Sequence, residues 1–426
     1  MNDLYCEALI QKLVAAIDEM IQQQLSLIIQ HPRFKELESL WRGLLHLNSC
    51  SQPSPATRIR ILDMSWSELS DDLNLSSSFQ SSVLYRLINQ QELNTLGGHP
   101  FGLLVVDHYV SLNASDNTDH DEIYTLQLLS ELGQASLCPV IMALSPNFLL
   151  TRDQEVWSNP QRVSHILASD DFSGWRRLRN LPSSRFLGLT LPQFLVRAPW
   201  HHYYQGIRFD EISTYSPVSH HLWGSSAFAL AGNIVSEFNR IHWFGFLRVA
   251  HGGGAVVNDQ QKNLVARVKL TDRLGEFFSE HGFIPMETCY LGQELAFFNN
   301  RSIYKPANKL NDQKITSMIQ TTLIGCRFGH YLKVLIREHI GSYDSAEACE
   351  RQLNAWLQEY TSNVDQGNDQ ILARYPLRHS KAEITGDKNL GIYTCVVYIQ
   401  PQYQFDFIKT DIVLKTDASE LVDIIL

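Results

Sequence analysis

Apolar side chains recur at intervals of three and four residues over the first thirty positions. This spacing places them on one face of an α-helix, so the sequence predicts a helix over residues 4–30. His31 should end that helix, because a residue that precedes a proline is pushed out of the α-helical region. The apolar face needs a cover, and the positions on it that we expect to contact a partner are Ile10, Leu13, Ile17 and Ile21.

From Pro32 onward the pattern predicts a second helix, a loop over residues 49–57, and then alternating strands and helices. The predicted strands are 58–62, 101–106, 139–144, 185–191, 243–249 and 264–270, and the predicted helices are 81–92, 121–135 and 225–240. Strand, helix and strand in that order indicate right-handed βαβ crossovers. The sequence therefore predicts an α/β body with a mixed, largely parallel sheet.

The pattern changes near residue 310. Two helices, 312–339 and 346–360, are followed by two runs typical of strands, 392–399 and 403–408. Helices followed by strands favour a separate α+β domain. We therefore expect an N-terminal amphipathic helix (1–30), an α/β body (31–309) and a C-terminal α+β domain (310–426).

Composition excludes several classes of protein. Hydrophobic residues make up 44% of the 426 residues and charged residues 19%, which is typical of a folded protein. A net charge of −10 opposes general nucleic-acid binding, and no run of about 18 apolar residues could span a membrane. The N-terminus has no basic region typical of a signal peptide, and the 7 cysteines form no C-x-x-C pair. We therefore expect a cytoplasmic protein with reduced thiols.

One segment of the sequence resembles a catalytic motif. Residues 251–254, His-Gly-Gly-Gly, resemble the oxyanion-hole sequence of some esterases, but the G-x-S-x-G nucleophile elbow is missing. A glycine-rich turn is the favoured interpretation, and an α/β hydrolase-like enzyme is the alternative. The histidines show no H-E-x-x-H spacing that would indicate zinc. We therefore predict no catalytic, cofactor-binding or metal-binding residue.

Several motifs resemble one known family. Residues 31–44, HPRFKELESLWRGL, are similar to the opening of the large sheath subunit of bacterial type VI secretion systems, the TssC, VipB, EvpB or ImpC family. Residues 97–102 (GGHPFG) and 327–342 (RFGHYLKVLIREHIGS) resemble later segments of the same family in the same order. The motif residues to which we assign a structural role are Trp41, Arg42, Gly43, Arg327, His330, Tyr331 and Lys333.

This resemblance implies a contractile tail-sheath-like fold and a structural function without covalent chemistry. Members of the family co-polymerise with a small sheath subunit of the TssB/VipA type around an inner tube of Hcp. The sheath assembles on a baseplate, contracts to propel the tube, and is disassembled by a ClpV-type ATPase. Asn180, Ala250 and Gln402 depart from the family pattern. They leave open a divergent paralogue that caps or nucleates the polymer.

The two C-terminal runs are rich in β-branched and aromatic residues and contain few charges. Edge strands of this composition pair readily with strands of other chains. In a sheath, we expect them to exchange with neighbouring subunits. The residues to which we assign this role are Ile392, Thr394, Val396, Val397, Tyr403 and Phe405.

Overall fold

The computed structural model describes most of the chain. The described residues are 2–51, 57–112, 120–149, 154–204, 207–211, 221–245, 247, 254–256, 264–289, 294–306, 315–339, 346–362, 375–387, 392–401, 412–417 and 423–425. The 251–253 segment and the 403–408 run, with Tyr403 and Phe405, lie outside them.

Helices and strands alternate through the body. The helices are α1 Asn2–Gln30, α2 Pro32–Ser51, α3 Trp66–Leu75, α4 Glu122–Ala135, α5 Pro160–Ala168, α6 Ser173–Leu178, α7 Ser226–Ile241, α8 Asp272–Glu280, α9 Ile319–His339 and α10 Ala346–Gln358. The strands are β1 Leu104–Val110, β2 Val140–Leu144, β3 Leu187–Leu191, β4 Phe194–Arg197, β5 His201–Tyr204, β6 Ile207–Asp210, β7 Leu222–Gly224, β8 Ile284–Pro285, β9 Glu287–Thr288, β10 Leu295–Ala296, β11 Leu377–Asp387, β12 Ile392–Pro401, β13 Ile412–Asp417 and β14 Asp423–Ile425. None of the described helices is long and apolar enough to cross a membrane.

A four-stranded parallel sheet organises the body, with the strand order β1-β2-β3-β8. Every residue of β2 and β3 is buried, as expected for parallel strands that are covered on both faces. Along β2, side chains alternate between two apolar clusters: Ile141 and Ala143 belong to one, and Val140 and Met142 to the other. The predicted α/β body with a largely parallel sheet is confirmed.

Helix α2 packs on α7 through a glycine. A Cβ atom on Gly43 would lie 2.6 Å from Cδ2 of Phe228, so a larger residue would force the two helices apart. Pro32 begins α2, where its missing amide hydrogen costs nothing because the first turn of a helix leaves its amides unpaired. The break predicted between the first two helices is confirmed.

Three predicted strands are wrong over the residues that the structure describes. Residues 57–65 contain neither helix nor strand, and residues 264–270 contain only an isolated bridge from Ala266 to Phe194. In the 243–249 segment, Trp243, Phe244 and Leu247 are buried without forming a strand. Burial explains the last of these apolar runs, in which Trp243 stacks on Phe328 of α9 with ring centroids 4.8 Å apart.

The predicted helix 81–92 contains a wider, π-helical stretch, Arg86–Leu93. The amide of Asn94 donates to the carbonyl of Asn89, five residues earlier, at 2.8 Å. Asn89 is buried, and its side-chain amide donates to the carbonyl of Ala135 at 2.9 Å. This hydrogen bond joins the wider turn to the end of α4.

The C-terminal sheet is antiparallel, with the order β11-β12-β13-β14. The expectation that residues 392–399 form an edge strand is wrong, because β12 lies between β11 and β13. Val397 pairs with Ala382 on one side and Leu414 on the other, and its side chain is 0% exposed. Ile392, Thr394 and Val396 occupy the same inner strand and also pair with β11.

Helix α10 closes the outer side of β11. The Asn354 side chain accepts a hydrogen bond from the amide of Ala382 and donates one to its carbonyl, both at 2.9 Å. Four residues earlier, the Glu350 carboxylate accepts from the amide of Ile384 at 3.1 Å. These contacts satisfy backbone groups that an added strand would otherwise use.

A proline at Val397 should therefore unfold the C-terminal sheet. Val397→Pro removes a ladder amide from an inner strand, and we expect a loss of roughly 3 kcal/mol or more in the free energy of unfolding. Thermal unfolding of the purified chain measures this loss. Asp63→Pro is the control, because the Asp63 amide makes no hydrogen bond within the described residues. A Val397→Pro chain as stable as the control would contradict the inner position.

Candidate assembly surface

The apolar face of α1 lies open to solvent. Ile10 is 60% exposed, Leu13 and Ile17 are also exposed, and Ile21 is half-buried. We call Ile10, Leu13, Val14, Ile17 and Met20 the α1 stripe. Monomeric proteins rarely expose so many contiguous apolar side chains unless another molecule covers them. The predicted helix and its exposed stripe are both present, and the identity of the cover stays a prediction.

Helix α2 carries apolar side chains on two faces. One face, with Gly43 and Leu47, is buried against α7. The other face is exposed, and we call it the α2 stripe: Phe34, Leu37, Trp41 and Leu45. Trp41 is 61% exposed, which is unusual for a residue of its size. A helix that is apolar on two faces and covered on one presents the other to a partner.

A buried arginine joins α2 to the strands beneath it. Arg197, at the end of β4, donates to both carboxylate oxygens of Glu38 in α2, at 2.7 and 3.0 Å. It also donates to Glu211, just after β6, at 2.6 Å. Only 6% of Arg197 is exposed. Two carboxylates therefore compensate the buried charge in a geometry that suits the planar guanidinium.

Neighbouring side chains extend this group, which we call the Arg197 cluster: Arg197, Glu38, Glu211, Gln30 and Arg42. Gln30, the last residue of α1, donates to Oε1 of Glu211, whereas Arg197 donates to Oε2 of the same carboxylate. Arg42 donates to Glu38 at 2.9 Å. The cluster thus joins the end of α1, the middle of α2 and the strands β4 and β6. It fixes the position from which both stripes project.

The electrostatics of Glu38 follow from this arrangement. Burial alone would raise the pKa of its carboxyl, but hydrogen bonds from Arg197 and Arg42 outweigh burial and lower the pKa. A lowered pKa means that the ion pairs stabilise the fold at neutral pH. That stabilisation is lost as the pH falls through the pKa of the folded state.

The α9 motif residues serve packing. Arg327 lies over the ring of Tyr331, 4.4 Å from its centroid, and over Phe238 of α7 at 5.4 Å. His330 is buried, and burial together with the charge of Arg327 lowers its pKa to about 4, so it is neutral at physiological pH. Lys333 is half-buried on the same helix. These contacts hold α9 against the body.

A second buried carboxyl belongs to Glu287. Glu287 of β9 is 1% exposed and packs on α8 at Gly275, where a larger residue would occupy the place of the carboxyl group. Burial raises the pKa of Glu287 to about 8, and the charges of Asp272 and Glu276 add to the increase. Glu287 is therefore protonated at neutral pH.

Potential metal ligands are dispersed in the described part of the chain. No group of three or more His, Cys, Asp or Glu side chains there could hold a metal ion. The 251–253 part of the glycine-rich segment lies outside the described residues, so the structure does not test the esterase interpretation.

Comparison with known families decides the identity. Residues 11–304 match the model of the EvpB/VC_A0108 tail sheath N-terminal domain. Residues 308–418 match the model of the EvpB/VC_A0108 tail sheath gpW/gp25-like domain. The chain belongs to the EvpB (VipB) family of tail sheath proteins. The resemblance in its sequence motifs is confirmed.

Relatives with known names agree with this assignment. The sheath protein is 28% identical over 425 residues to the type VI secretion system sheath protein TssC1 of Pseudomonas aeruginosa, covering 93% of this chain and 83% of the relative. It is a structural subunit of a contractile sheath of this type of secretion system.

Solved structures give weaker similarities. A sheath complex of an extracellular contractile injection system in the contracted state aligns with a TM-score of 0.42 and 12% identity, over 84% of this chain and 86% of that one. A sheath tail protein from Desulfitobacterium hafniense aligns with a TM-score of 0.32 and 9% identity, over 71% of this chain and 62% of that one.

Sequence reasoning missed most of the Arg197 cluster. Glu38 and Arg197 are 159 positions apart, so no local pattern connects them. One signal was available: an arginine closes the otherwise apolar strand Phe194–Arg197, and a buried arginine requires carboxylate partners. The sequence predicts α2 as a helix, but only the structure reveals which of its apolar faces packs on α7 and which is exposed.

Removing the Arg197 side-chain charge should loosen α2 from the body. Arg197→Met removes the guanidinium from both carboxylates, although Arg42 still donates to Glu38, and breaking such a buried pair typically costs about 3–5 kcal/mol. Denaturant unfolding and limited proteolysis of the sheath protein measure the loss. Arg42→Met is the matched control, because the Arg42 side chain is 23% exposed and, like Arg197, lies over the Trp200 ring, but among the described residues it forms an ion pair with one carboxylate, that of Glu38. We expect a loss of about 1 kcal/mol there. Equal losses in both variants would contradict the central role of Arg197.

Glu287 should make the protein less stable as the pH rises. The folded state holds this proton more tightly than the unfolded state, so the free energy of unfolding falls between about pH 4.5 and about pH 8. Glu287→Gln cannot ionise, so its decrease in stability from pH 5 to pH 9 should be smaller in urea unfolding. Glu359→Gln is the control, because Glu359 is exposed and its charge is not among those that raise the pKa of Glu287. A wild-type decrease that persists unchanged in Glu287→Gln would contradict the assignment.

Proposed function

We propose that this sheath protein co-polymerises with the small sheath subunit of its secretion system. The heterodimers would form a cytoplasmic helical tube around an Hcp inner tube, starting at a baseplate. Contraction would propel the inner tube, and a ClpV-type ATPase would disassemble the contracted sheath. The observation that carries this proposal is the pair of apolar stripes on α1 and α2, which the Arg197 cluster holds in a defined position.

The two stripes suit a helical or extended partner element. Both run along helices with side chains at three- and four-residue steps, the pattern by which one helix packs on another. Burying apolar surface contributes about 25 cal/mol per Å². The rigid attachment of α2 lowers the entropy that binding must overcome. The small sheath subunit is the partner we propose for this surface, with Ile10, Leu13, Ile17 and Ile21 in the contact.

The C-terminal sheet is our proposed link between neighbouring subunits. Because α10 closes the outer side of β11, the side of β13 and β14 is the one at which a strand could be exchanged. β14 pairs with only three residues of β13, Val413, Leu414 and Lys415, whereas β12 pairs with six. Ile392, Thr394, Val396 and Val397 would then support this edge from the inner strand. A short terminal strand is easily displaced by a longer one.

Co-expression with the small sheath subunit tests the function directly. We expect long tubes in negative-stain electron microscopy, because both subunits are then present at equal amounts. Short stacks or caps would contradict the role of main sheath subunit. A chain that stays monomeric and binds no small subunit would contradict the proposal as a whole.

Polar substitutions in the α1 stripe should prevent assembly without unfolding the chain. In the triple variant Ile10→Ser, Leu13→Ser and Ile17→Ser, all three side chains are exposed in the isolated protein, so its thermal unfolding should not change. Binding of the small subunit in a pull-down should fall by about a thousandfold or more, since each of the three side chains contributes about 1.5–3 kcal/mol when buried and about 1.4 kcal/mol is a factor of ten in affinity. Gln11→Ser, on an exposed polar position of the same helix, is the control. Unchanged tube formation in the triple variant would contradict the role of α1.

A further inference from the structure

Arg179 is a buried arginine that has no carboxylate partner among the described residues. It directly follows α6, and only 9% of it is exposed. Its guanidinium donates to two backbone carbonyls, that of Ile303 at 2.9 Å and that of Glu280 at 3.0 Å. Burial and the charge of Arg301 lower its pKa to about 10, so Arg179 is charged at neutral pH. A buried charge of this kind is usually compensated by carboxylates, as that of Arg197 is.

Further cations lie on the two segments that meet at Arg179. Arg185, in the turn before β3, lies over the ring of Tyr304, 4.4 Å from its centroid. Lys305 is exposed, and its backbone amide donates to the carbonyl of Arg179 at 2.8 Å. Neither Arg185 nor Lys305 forms an ion pair within the described part of the chain. We call Arg179, Arg185, Arg301 and Lys305 the junction cations.

The charges of this group act on one another and on a neighbouring histidine. Burial lowers the pKa of His281, at the end of α8, and the charges of Arg179 and Lys305 lower it further. Glu280 is the carboxylate that opposes them at His281, and it is exposed. The region is therefore positive, in a chain whose net charge is −10.

The junction cations lie where the two tail sheath domains meet, at residues 304–308. The amide of Ile303 donates to the carbonyl of Leu187 in β3 at 3.0 Å. The hydroxyl of Ser302 donates to the carbonyl of Ser317, just before α9, at 2.7 Å. These bonds fix the segment that carries Arg301 and Lys305 to both domains. A site held in this way loses little conformational entropy when a ligand binds.

We propose that the junction cations bind a short acidic segment of a partner protein. Clusters of arginine recognise acidic segments because the planar guanidinium donates two parallel hydrogen bonds to a carboxylate. A carboxylate next to Arg179 would supply the compensation that the described part of the chain does not provide. The site is separate from the α1 and α2 stripes, so its test does not depend on the proposed function.

Charge favours an acidic protein segment over a nucleic acid. A nucleic acid carries a long row of phosphates, most of which would extend beyond four cations. The rest of the surface would repel them, because the net charge of the chain is −10. A short acidic segment contacts the positive region alone and avoids this repulsion.

Binding of a fluorescein-labelled hexaglutamate peptide to the full chain, followed by fluorescence anisotropy, tests the site. Lys305→Glu should weaken binding by about tenfold or more, and its thermal unfolding should not change because Lys305 is exposed. Arg162→Glu, at an exposed position of α5, makes the same change of charge and should bind as the wild type does. No binding by the wild type, or equal losses in the two variants, would overturn the proposal. A single-stranded DNA of about 20 nucleotides that binds more tightly than the peptide, and less tightly to Lys305→Glu, would overturn the choice of partner.

Carbodiimide cross-linking of the assembled sheath identifies the acidic segment. The reagent joins the amine of Lys305 to a carboxylate in contact with it, and mass spectrometry locates the new amide bond. We expect Lys305 to be linked to an aspartate or glutamate of another chain. Tubes in which Lys305 is linked only to Glu280 of its own chain, or to no carboxylate, would overturn the proposal and leave the proposed function intact. Failure to form tubes would contradict the proposed function, and the hexaglutamate measurement would still decide this inference.

Discussion

The candidate assembly surface depends on one buried charge. Arg197 lies among apolar strands, and a guanidinium there is stable only when carboxylates compensate it. Glu38 comes from α2, and Glu211 follows β6, so the charge can be satisfied only when α2 lies across these strands. Gln30 extends the same constraint to the end of α1. An apolar contact would hold α2 equally well but would let it slide, whereas hydrogen bonds of fixed geometry define one position.

Behind this surface, the body and the C-terminal sheet share a core. The apolar cluster on one side of the central sheet includes Ile141 of β2, continues through Phe328 of α9 and reaches Val397 of β12. Closely packed side chains transmit displacement instead of absorbing it. Movement of the C-terminal sheet in a polymer would therefore be passed to the body as a whole. This coupling suits a protein whose function is a concerted contraction.

Local patterns predict those elements whose apolar residues follow a regular period. The stripe of α1, the helix α7 and the buried strands β2 and β3 follow directly from apolar periodicity. Strand β11 was missed because Arg378, Lys381 and Glu383 interrupt its apolar pattern. Because the pattern does not reveal β11, it predicts β12 as an edge strand. The pattern predicts the Trp243 segment as a strand, because a run of buried aromatic residues has the composition of a buried strand whatever its backbone conformation.

The candidate surface was predictable only in part. The α1 stripe follows from the periodicity of its apolar residues, but periodicity does not show that the stripe is exposed. The exposed face of α2 could not be told from its buried face without knowing that Phe228 occupies the space at Gly43. The same limit applies to residues 58–62, whose composition predicts a strand although the described part of the chain supplies no partner strand. In each case the missing information is a long-range contact, which sequence periodicity does not contain.

A cryo-electron microscopy structure of the tube formed with the small sheath subunit tests the central claim most directly. We expect the α1 stripe and Trp41 of the α2 stripe to be buried against the small subunit. The Arg197–Glu38 and Arg197–Glu211 pairs should remain intact. A tube in which both stripes face solvent or the inner tube, with the small subunit bound elsewhere, would contradict this account.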